Sequence, residues 1–202
     1  MSDDAGTMEG LTVVECTRCP ELCESRSQIV NGTGPDDAEL LFVGEGPGAQ
    51  EDSAGEPFVG RSGSVLDDAL TECGLDREAV RITNCVRCRP PENRDPQKGE
   101  LENCRGYLER EISEINPTLV VTLGKVPTEH LLCRDAAVTK ESGNIEDVRL
   151  GESSQQVLIC VHPAATLYDS SQAETFTNTI ATAAGIVGAD GDTEGQSRLD
   201  GF

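Results

Sequence analysis

Four short apolar runs constrain the fold of this chain most strongly. They read "ELLFVGEG" from Glu39, "VRITNCV" from Val80, "TLVVTLGK" from Thr118 and "QVLICVHP" from Gln156. Three of them are nearly continuous and rich in β-branched residues, which is typical of strands buried on both faces of a parallel sheet. Stretches with helical spacing separate them, for example "KGELENCRGYLEREISEI". This alternation predicts an α/β fold, a three-layer α/β/α sandwich around a central parallel sheet of four strands.

Polar groups collect where these predicted strands end. The strand ends "GEGPG", "TNC", "LGK" and "HP" hold Glu45, Asn84, Lys125 and His162. In open α/β sheets, ligands bind beyond the carboxyl ends of the strands, so a site is predicted there. An ordinary structural role remains an alternative for each residue: a solvated acid, an asparagine in a turn, or a histidine that only packs.

The charge balance predicts a protein that works in concentrated salt. The chain has 37 acidic and 16 basic residues, a formal net charge of -21, and acids spread along its whole length. Salt would screen the self-repulsion of such a surface. An ordinary acidic cytosolic protein is the alternative.

Composition along the chain predicts one domain and two terminal segments. Residues 1–10 are predicted to be a flexible acidic N-terminus, 11–184 the domain, and 185–202 an acidic, Gly-rich disordered tail. No apolar run approaches the roughly 20 residues needed to cross a bilayer. The N-terminus lacks the basic and apolar regions of a signal peptide, so a cytoplasmic location is expected.

The cysteine spacing predicts a metal site. Cys16 and Cys19 form one C-x2-C pair, Cys85 and Cys88 form another, and Cys104 follows. The gap between the pairs is too long for a zinc ribbon. Strand alternation turns Cys85 away from its neighbours, while Cys88 falls beyond the strand end. Four thiolates suit either zinc or an iron–sulfur cluster, and spacing does not separate these. Three further cysteines fit core packing: Cys73, Cys133 and Cys160.

Three motifs in order resemble the family 4 uracil-DNA glycosylases, the iron–sulfur branch found in archaea and bacteria. They are "GEGPGAQEDSAGEPFVGRSGSVL", "ITNCVRCRPPENRDP" and "CVHPAATL", and the resemblance extends from about Cys16 to Leu167. It implies an enzyme that flips uracil out of DNA and hydrolyses its N-glycosidic bond, leaving an abasic site. It also implies a [4Fe–4S] cluster on Cys16, Cys19, Cys88 and Cys104, with Cys85 as an extra thiol. With the acidic composition, it points to a halophilic archaeon as the source.

The resemblance assigns catalytic roles to two residues. Glu45 would lie near the sugar, where positive charge develops, and would help to orient the attacking water. His162 would donate a hydrogen bond to uracil O2 as negative charge builds there. Gly46 would offer backbone contacts to the water or the base.

Four further residues would bind the base. Phe58 would stack on uracil, although a core phenylalanine is the usual alternative. Asn84 would pair with uracil O4 and N3–H, which cytosine cannot match. Glu51 would stand near C5 and exclude the methyl group of thymine; an acid favoured by the helix dipole is an equally good interpretation. Asn93 would support this network by orienting its neighbours.

The expected partner is uracil-containing DNA, single- or double-stranded, bound by a monomer that could also meet replication or repair proteins. Residues 81–110 hold seven basic residues against five acids and are predicted to contact phosphates. After the histidine motif, "ATLYDSSQ" replaces the basic loop that often enters the duplex in this family. No basic insert follows "PFVG", so turnover is expected and not a covalent adduct. The alternatives are a glycosylase for another deaminated base and a catalytically silent iron–sulfur protein that binds nucleic acid.

Overall fold

The computed structural model describes residues 6–151 and 153–188, and its centre is a five-stranded mixed sheet. The strands within these ranges are, in chain order, β1 Gly6–Glu9, β2 Thr12–Cys16, β3 Leu40–Gly44, β4 Arg81–Asn84, β5 Leu119–Leu123, β6 Ile145–Leu150 and β7 Ser153–Cys160. The large sheet has the order β4-β3-β5-β7-β6. The four predicted strands lie side by side and parallel, which confirms the α/β class.

The sheet is buried on both faces because its strands carry apolar side chains on both. In β3, Leu40 and Phe42 pack into one core while Leu41 and Val43 pack into the other. This is the period-two alternation of a strand, and it explains the continuous apolar runs.

Eight helices are present among the described residues. They are α1 Pro20–Ser25, α2 Ala49–Ala54, α3 Arg61–Glu72, α4 Lys98–Ile115, α5 Lys125–Leu132, α6 Val138–Glu141, α7 Pro163–Thr166 and α8 Ser170–Ile186. Helices α3 and α8 contribute to one core, and α4 and α5 to the other, so the sheet is the middle layer of three. The helix predicted from "KGELENCRGYLEREISEI" matches α4 from its first residue to its last.

The sheet differs from the prediction by a fifth strand. Strand β6 runs antiparallel to β7 at the sheet edge, so the four-stranded, all-parallel description was wrong in strand count. Its sequence, IEDVRL, alternates with charged residues, and only Leu150 is buried. Edge strands with charged faces leave no apolar run to detect.

The N-terminal residues also carry structure that the sequence did not predict. Gly6–Glu9, within the stretch expected to be flexible, pairs antiparallel with β2 to form a hairpin. At the other end α8 continues to Ile186, and residues 189–202 of the predicted tail lie outside the described residues. Within the described part of the chain, no helix has the length and apolarity needed to span a membrane.

Candidate active site

A small cavity opens at the carboxyl ends of β3 and β4, beside the residues that follow β7. Its volume is about 200 Å³, below the roughly 300 Å³ at which pockets for drug-sized ligands begin. Its walls are formed by Glu45, Gly46, Gly48, Glu51, Phe58, Ser62, Asn84 and His162. Six of the eight are residues that the sequence analysis predicted for the site, so a cavity lies at the sheet end where the topology predicts one.

Glycine at position 44 allows the two flat groups of the cavity to approach each other. A Cβ atom on Gly44 would lie 2.4 Å from Asn84 Oδ1 and 2.5 Å from the Phe58 ring. Phe58 adopts a positive φ of 54°, which is uncommon for a non-glycine residue. Its carbonyl oxygen would in turn lie 1.8 Å from a Cβ on Gly63. The two glycines therefore make room for the strained phenylalanine that forms one wall.

Asn84 ends β4 and is only 3% exposed. Within the described residues its side-chain amide makes no hydrogen bond to protein, yet it faces the cavity. A buried amide without a protein partner costs free energy unless a ligand or water satisfies it. Its donor and acceptor are therefore available to a ligand edge.

His162 is held in one tautomer by the chain that follows it. It is the N-cap of α7, and its Nδ1 accepts a hydrogen bond of 3.1 Å from the Ala164 backbone N–H. Burial lowers the pKa of His162, and Glu51 opposes this shift. The ring is thus neutral with its proton on Nε2, the arrangement of a hydrogen-bond donor.

Two carboxylates meet the cavity in different ways. Glu45 is half-buried, and burial, helped by the negative charge of Asp95, raises its pKa to about 7. Glu51 instead accepts backbone hydrogen bonds on both oxygens, from Gly48 N at 3.1 Å and from Gly60 N at 3.2 Å. It therefore ties two loops of the cavity together and also faces its interior.

A group of thiols lies next to this site. Cys16, Cys19, Cys88 and Cys104 are all buried and free, and each interacts electrostatically with at least one other of the four. Among the described residues, no three metal-ligating side chains converge on a position that would hold a single ion. Cys85 packs into the core under the sheet with Leu108, as strand alternation predicts.

Each of the four thiols has a hydrogen-bond donor or a hydroxyl beside it. Arg26 Nη1 lies 2.8 Å from Cys88 Sγ, and Asn103 Nδ2 lies 3.4 Å from Cys19 Sγ. The Arg87 backbone N–H donates to Cys104. The Tyr107 hydroxyl lies beside Cys16, is buried, and has no conventional hydrogen-bond partner in the described structure. Burial raises the pKa of Cys19, Cys88 and Cys104, and the donors beside these three thiols lower it in part and so oppose the effect of burial.

The chain matches the uracil DNA glycosylase superfamily over residues 31–183. It is 38% identical to a type-4 uracil-DNA glycosylase of Archaeoglobus fulgidus over 77% of this chain and 80% of the relative. It is 41% identical to the type-4 enzyme of Thermotoga maritima, over 79% and 81% of the two chains. The identity to the type-4 enzyme of Sulfurisphaera tokodaii is also 41%, over 78% and 73%. The chain belongs to the type-4 uracil-DNA glycosylases.

One residue that the family resemblance places at the site, Asn93, lies outside the cavity. Asn93 is exposed, lies in the turn Pro91–Asn93, and accepts a hydrogen bond of 2.8 Å from Arg89 Nε. It does not line the cavity, so its role as an indirect support stays a prediction. Lys125 also does not line the cavity; it is exposed and pairs with Glu129 at 3.7 Å.

The basic segment between residues 81 and 110 is used mostly inside the protein. Arg81 and Arg87 are buried against Glu111, and Arg94 pairs with Glu100 and Glu21. Counting charges in the sequence therefore overestimated the cations that this segment offers to DNA phosphates.

Three residues near the cavity escaped prediction from the sequence. Gly48 and Ser62 form part of its wall, and Asp95 acts on Glu45 from the loop that precedes α4. Gly48 and Ser62 lie inside the first motif, so the motif itself was the available signal. Asp95 is brought to Glu45 by tertiary packing, and no local pattern marks it.

Proposed function

We propose that this protein excises uracil from DNA by hydrolysing the bond between the base and its sugar. The observation that carries the proposal is the convergence of Asn84, His162 and Phe58 on one base-sized cavity in a chain of the type-4 glycosylase family. A base inside a duplex cannot reach such a cavity, so the target nucleotide must be flipped at a cost of a few kcal/mol.

Asn84 reads the edge of the base. Its Nδ2 donates to uracil O4 and its Oδ1 accepts from N3–H. Cytosine presents the opposite pattern, which would leave two buried polar groups mismatched at about 1–3 kcal/mol each. The position of Asn84 supports this role, because the residue is 3% exposed and lines the cavity, where its amide can pair with a ligand.

His162 and Phe58 hold the base from two other directions. The ring centroids of the two side chains are 6.0 Å apart, and their planes are inclined by 33°. Phe58 stacks on the face of the base, while the Nε2–H of neutral His162 donates to O2. As the glycosidic bond breaks, negative charge builds on O2, so this hydrogen bond strengthens in the transition state.

Glu45 serves the sugar side of the reaction. When ionised, it stabilises the positive charge that develops on the sugar and orients the water that attacks it. The carboxyl needs to be deprotonated for both tasks, and a pKa near 7 makes this dependent on pH.

Glu51 and its two loops complete the wall of the cavity. The carboxylate accepts hydrogen bonds from the backbone at Gly48 and Gly60, which fixes its position in the wall. We propose that thymine is excluded here because its methyl group would displace a carboxylate that is already hydrogen-bonded on both oxygens.

We propose that Cys16, Cys19, Cys88 and Cys104 hold a [4Fe–4S] cluster. The chemistry of the residues fits the group: four buried thiols, each with a donor or hydroxyl beside it. A cluster supplies cross-links between the segments that hold the four thiols and a redox-active centre. The ligand Cys88 lies four residues after Asn84. Between them Val86 lies in the apolar cluster with Cys16 and Cys104 and contacts Gly46 of the cavity wall.

The direct test uses oligonucleotides that carry one uracil, one thymine or one hypoxanthine at the same position, single-stranded and paired. Abasic sites are converted to strand breaks by alkali and counted. The proposal predicts breaks only in the uracil substrates. Binding without breaks would indicate a silent nucleic-acid-binding protein, and breaks at hypoxanthine alone would indicate a glycosylase for another base.

A further inference from the structure

Arg26 makes a charged hydrogen bond to one of the four buried thiols. It is the C-cap of α1, and its guanidinium bridges two points: Nη1 lies 2.8 Å from Cys88 Sγ and Nη2 lies 2.8 Å from the Cys16 carbonyl oxygen. The contact with Cys88 is a hydrogen bond from a charged donor to a thiol. The side chain is partly buried, so solvent screens this interaction only in part.

The other donors around the thiols are neutral. Asn103 and the Arg87 backbone N–H donate without charge, and Tyr107 offers a hydroxyl. The negative group recorded as acting on Cys19 is Glu100, which is neutralised by a two-pronged ion pair with Arg94. Cys88 therefore receives a charged hydrogen bond, whereas the donors named beside Cys19 and Cys104 are neutral.

We propose that Arg26 sets the reduction potential of the iron–sulfur cluster by its charged hydrogen bond to Cys88. The proposal rests on the cluster assigned above. Gaining one electron makes a cluster with four thiolates more negative, and hydrogen bonds and positive charge at the ligand sulfurs stabilise that state. Arg26 thus makes the cluster easier to reduce than its neutral donors alone would.

The test is a redox titration of the purified holoprotein, with dithionite as electron donor and mediators, followed by the visible absorption of the cluster. Arg26→Gln removes the charge but keeps a polar side chain. At the midpoint potential of the parent protein, we expect its reduced-to-oxidised ratio to fall about tenfold, equivalent to about 59 mV for one electron. Arg26→Lys keeps the charge, but its ammonium cannot reproduce the fixed fork that reaches both Cys88 and Cys16, so a fall of about threefold is expected.

Arg110→Gln is the matched control. Arg110 is exposed and pairs with Glu114, and the same charge is lost without a contact to a thiol. The reduced-to-oxidised ratio of the cluster in this variant should stay within about 1.5-fold of that in the parent, because solvent screens an exposed charge.

Iron content separates this inference from the assignment of the cluster. Parent protein that holds no iron after anaerobic purification overturns the cluster itself. If the parent protein holds four irons and the Arg26 variants have the same reduced-to-oxidised ratio as Arg110→Gln, the cluster stands and only the role of Arg26 is overturned. If Arg26→Gln fails to hold iron, Arg26→Lys decides, and an unchanged ratio in that variant overturns the proposal.

Discussion

Glu45 shows how the surroundings of one residue set its chemistry. An ordinary glutamate is ionised at any physiological pH, but burial and the nearby Asp95 raise the pKa of Glu45 to about 7. Burial lowers the pKa of His162, which favours the neutral form of that ring. The carboxyl of Glu45 is thus expected to titrate near neutrality, and it is the group that we propose must be ionised for catalysis.

The pH dependence of excision follows from this. We expect kcat/KM for uracil excision to be constant above about pH 8 and to fall about tenfold per pH unit well below pH 7. Glu45→Gln should be slower at every pH and should lose this acidic limb. A limb of the same slope and midpoint in Glu45→Gln would assign it to another group.

The contribution of Glu45 to the free energy of unfolding should change with pH in the opposite direction to excision: it decreases as pH rises. The folded-state pKa lies above the ordinary value of 4.5, so the neutral carboxyl favours the fold below pH 4.5 and this contribution is lost as pH rises through 7. At pH 8, Glu45→Gln should therefore be more stable than the parent by about 1 kcal/mol, a figure reduced for solvent screening at this half-exposed group. Urea unfolding of both proteins at pH 8 measures the difference, and a less stable variant would contradict it.

Asn84→Asp tests how the base is read. An ionised carboxylate repels uracil O4 and a neutral one can no longer donate and accept at the same two points, so uracil excision should fall about 10- to 100-fold. The neutral carboxyl matches the edge of cytosine, so weak release of cytosine should appear and increase at lower pH. Asn178→Asp makes the same chemical change at an exposed position of α8 and should leave uracil excision within about twofold of the parent. Equal losses in the two variants would remove Asn84 from base reading.

The residues of the site were predictable to different degrees. Asn84 and His162 stand at strand ends, where α/β topology concentrates function, and the cavity includes both. Asp95 was missed because a tertiary contact, not a local pattern, brings it to Glu45. Asn93 was expected to support the base-reading network, yet it faces solvent in a turn. A motif fixes which residues are present but not which way a loop turns them.

At the scale of elements, helix α4 contacts both the buried thiols and the segment that carries Asn84. It carries Cys104 beside the other thiols and, two turns later, Glu111, which is fully buried. Glu111 binds Arg81 at 2.9 Å and Arg87 at 2.5 Å, on either side of Asn84. The helix thus clamps the segment that runs from β4 to Cys88.

Glu111→Gln should show how much this clamp contributes. Removing the negative charge leaves two buried guanidinium groups without a counter-charge, at a cost of about 3–5 kcal/mol. Glu114→Gln removes an exposed partner on the same helix and should cost at most about 0.5 kcal/mol. Denaturant unfolding of both variants gives the comparison, and equal losses would show that the buried pair is not a clamp.

Some secondary-structure elements could be predicted from the sequence and others could not. The buried strands and α4 were predictable because an apolar run or a helical stripe records which faces are covered. Strand β6 and the hairpin of β1 and β2 have no such apolar pattern, since most of their side chains face solvent. Their pairing partners are set by the sheet edge and by the chain around Cys16, which only the folded structure reveals.

For the whole molecule, the net charge of -21 opposes both compactness and contact with DNA. We propose that concentrated salt relieves both effects, since the Debye length falls from about 10 Å at 0.1 M to about 3 Å at 1 M. Binding must then rely on stacking, backbone hydrogen bonds and short-range contacts, because many basic residues between positions 81 and 110 already form internal ion pairs.

The expected outcome is a melting temperature that rises with KCl up to molar concentrations, with uracil excision retained there. Thermal melts and excision assays from about 0.1 to 3 M KCl test this. KCl is used instead of a sulfate salt because sulfate stabilises most folded proteins by its exclusion from their surface, which would hide the effect of charge screening. A protein that is most stable and most active at the lowest salt would show that its acidity is not an adaptation to salt.

The central claim, that Asn84 and His162 act on uracil in this cavity, is tested most directly by single-turnover release of free uracil. The measurement compares the parent protein with Asn84→Ala and His162→Ala, each at the same iron content per chain, so that loss of the cluster cannot be mistaken for loss of chemistry. The account predicts release of one uracil per substrate by the parent, and rates lower by at least about 100-fold in each variant, the scale of a lost transition-state hydrogen bond. A parent that releases no uracil, or variants that release it at the rate of the parent, would contradict the account.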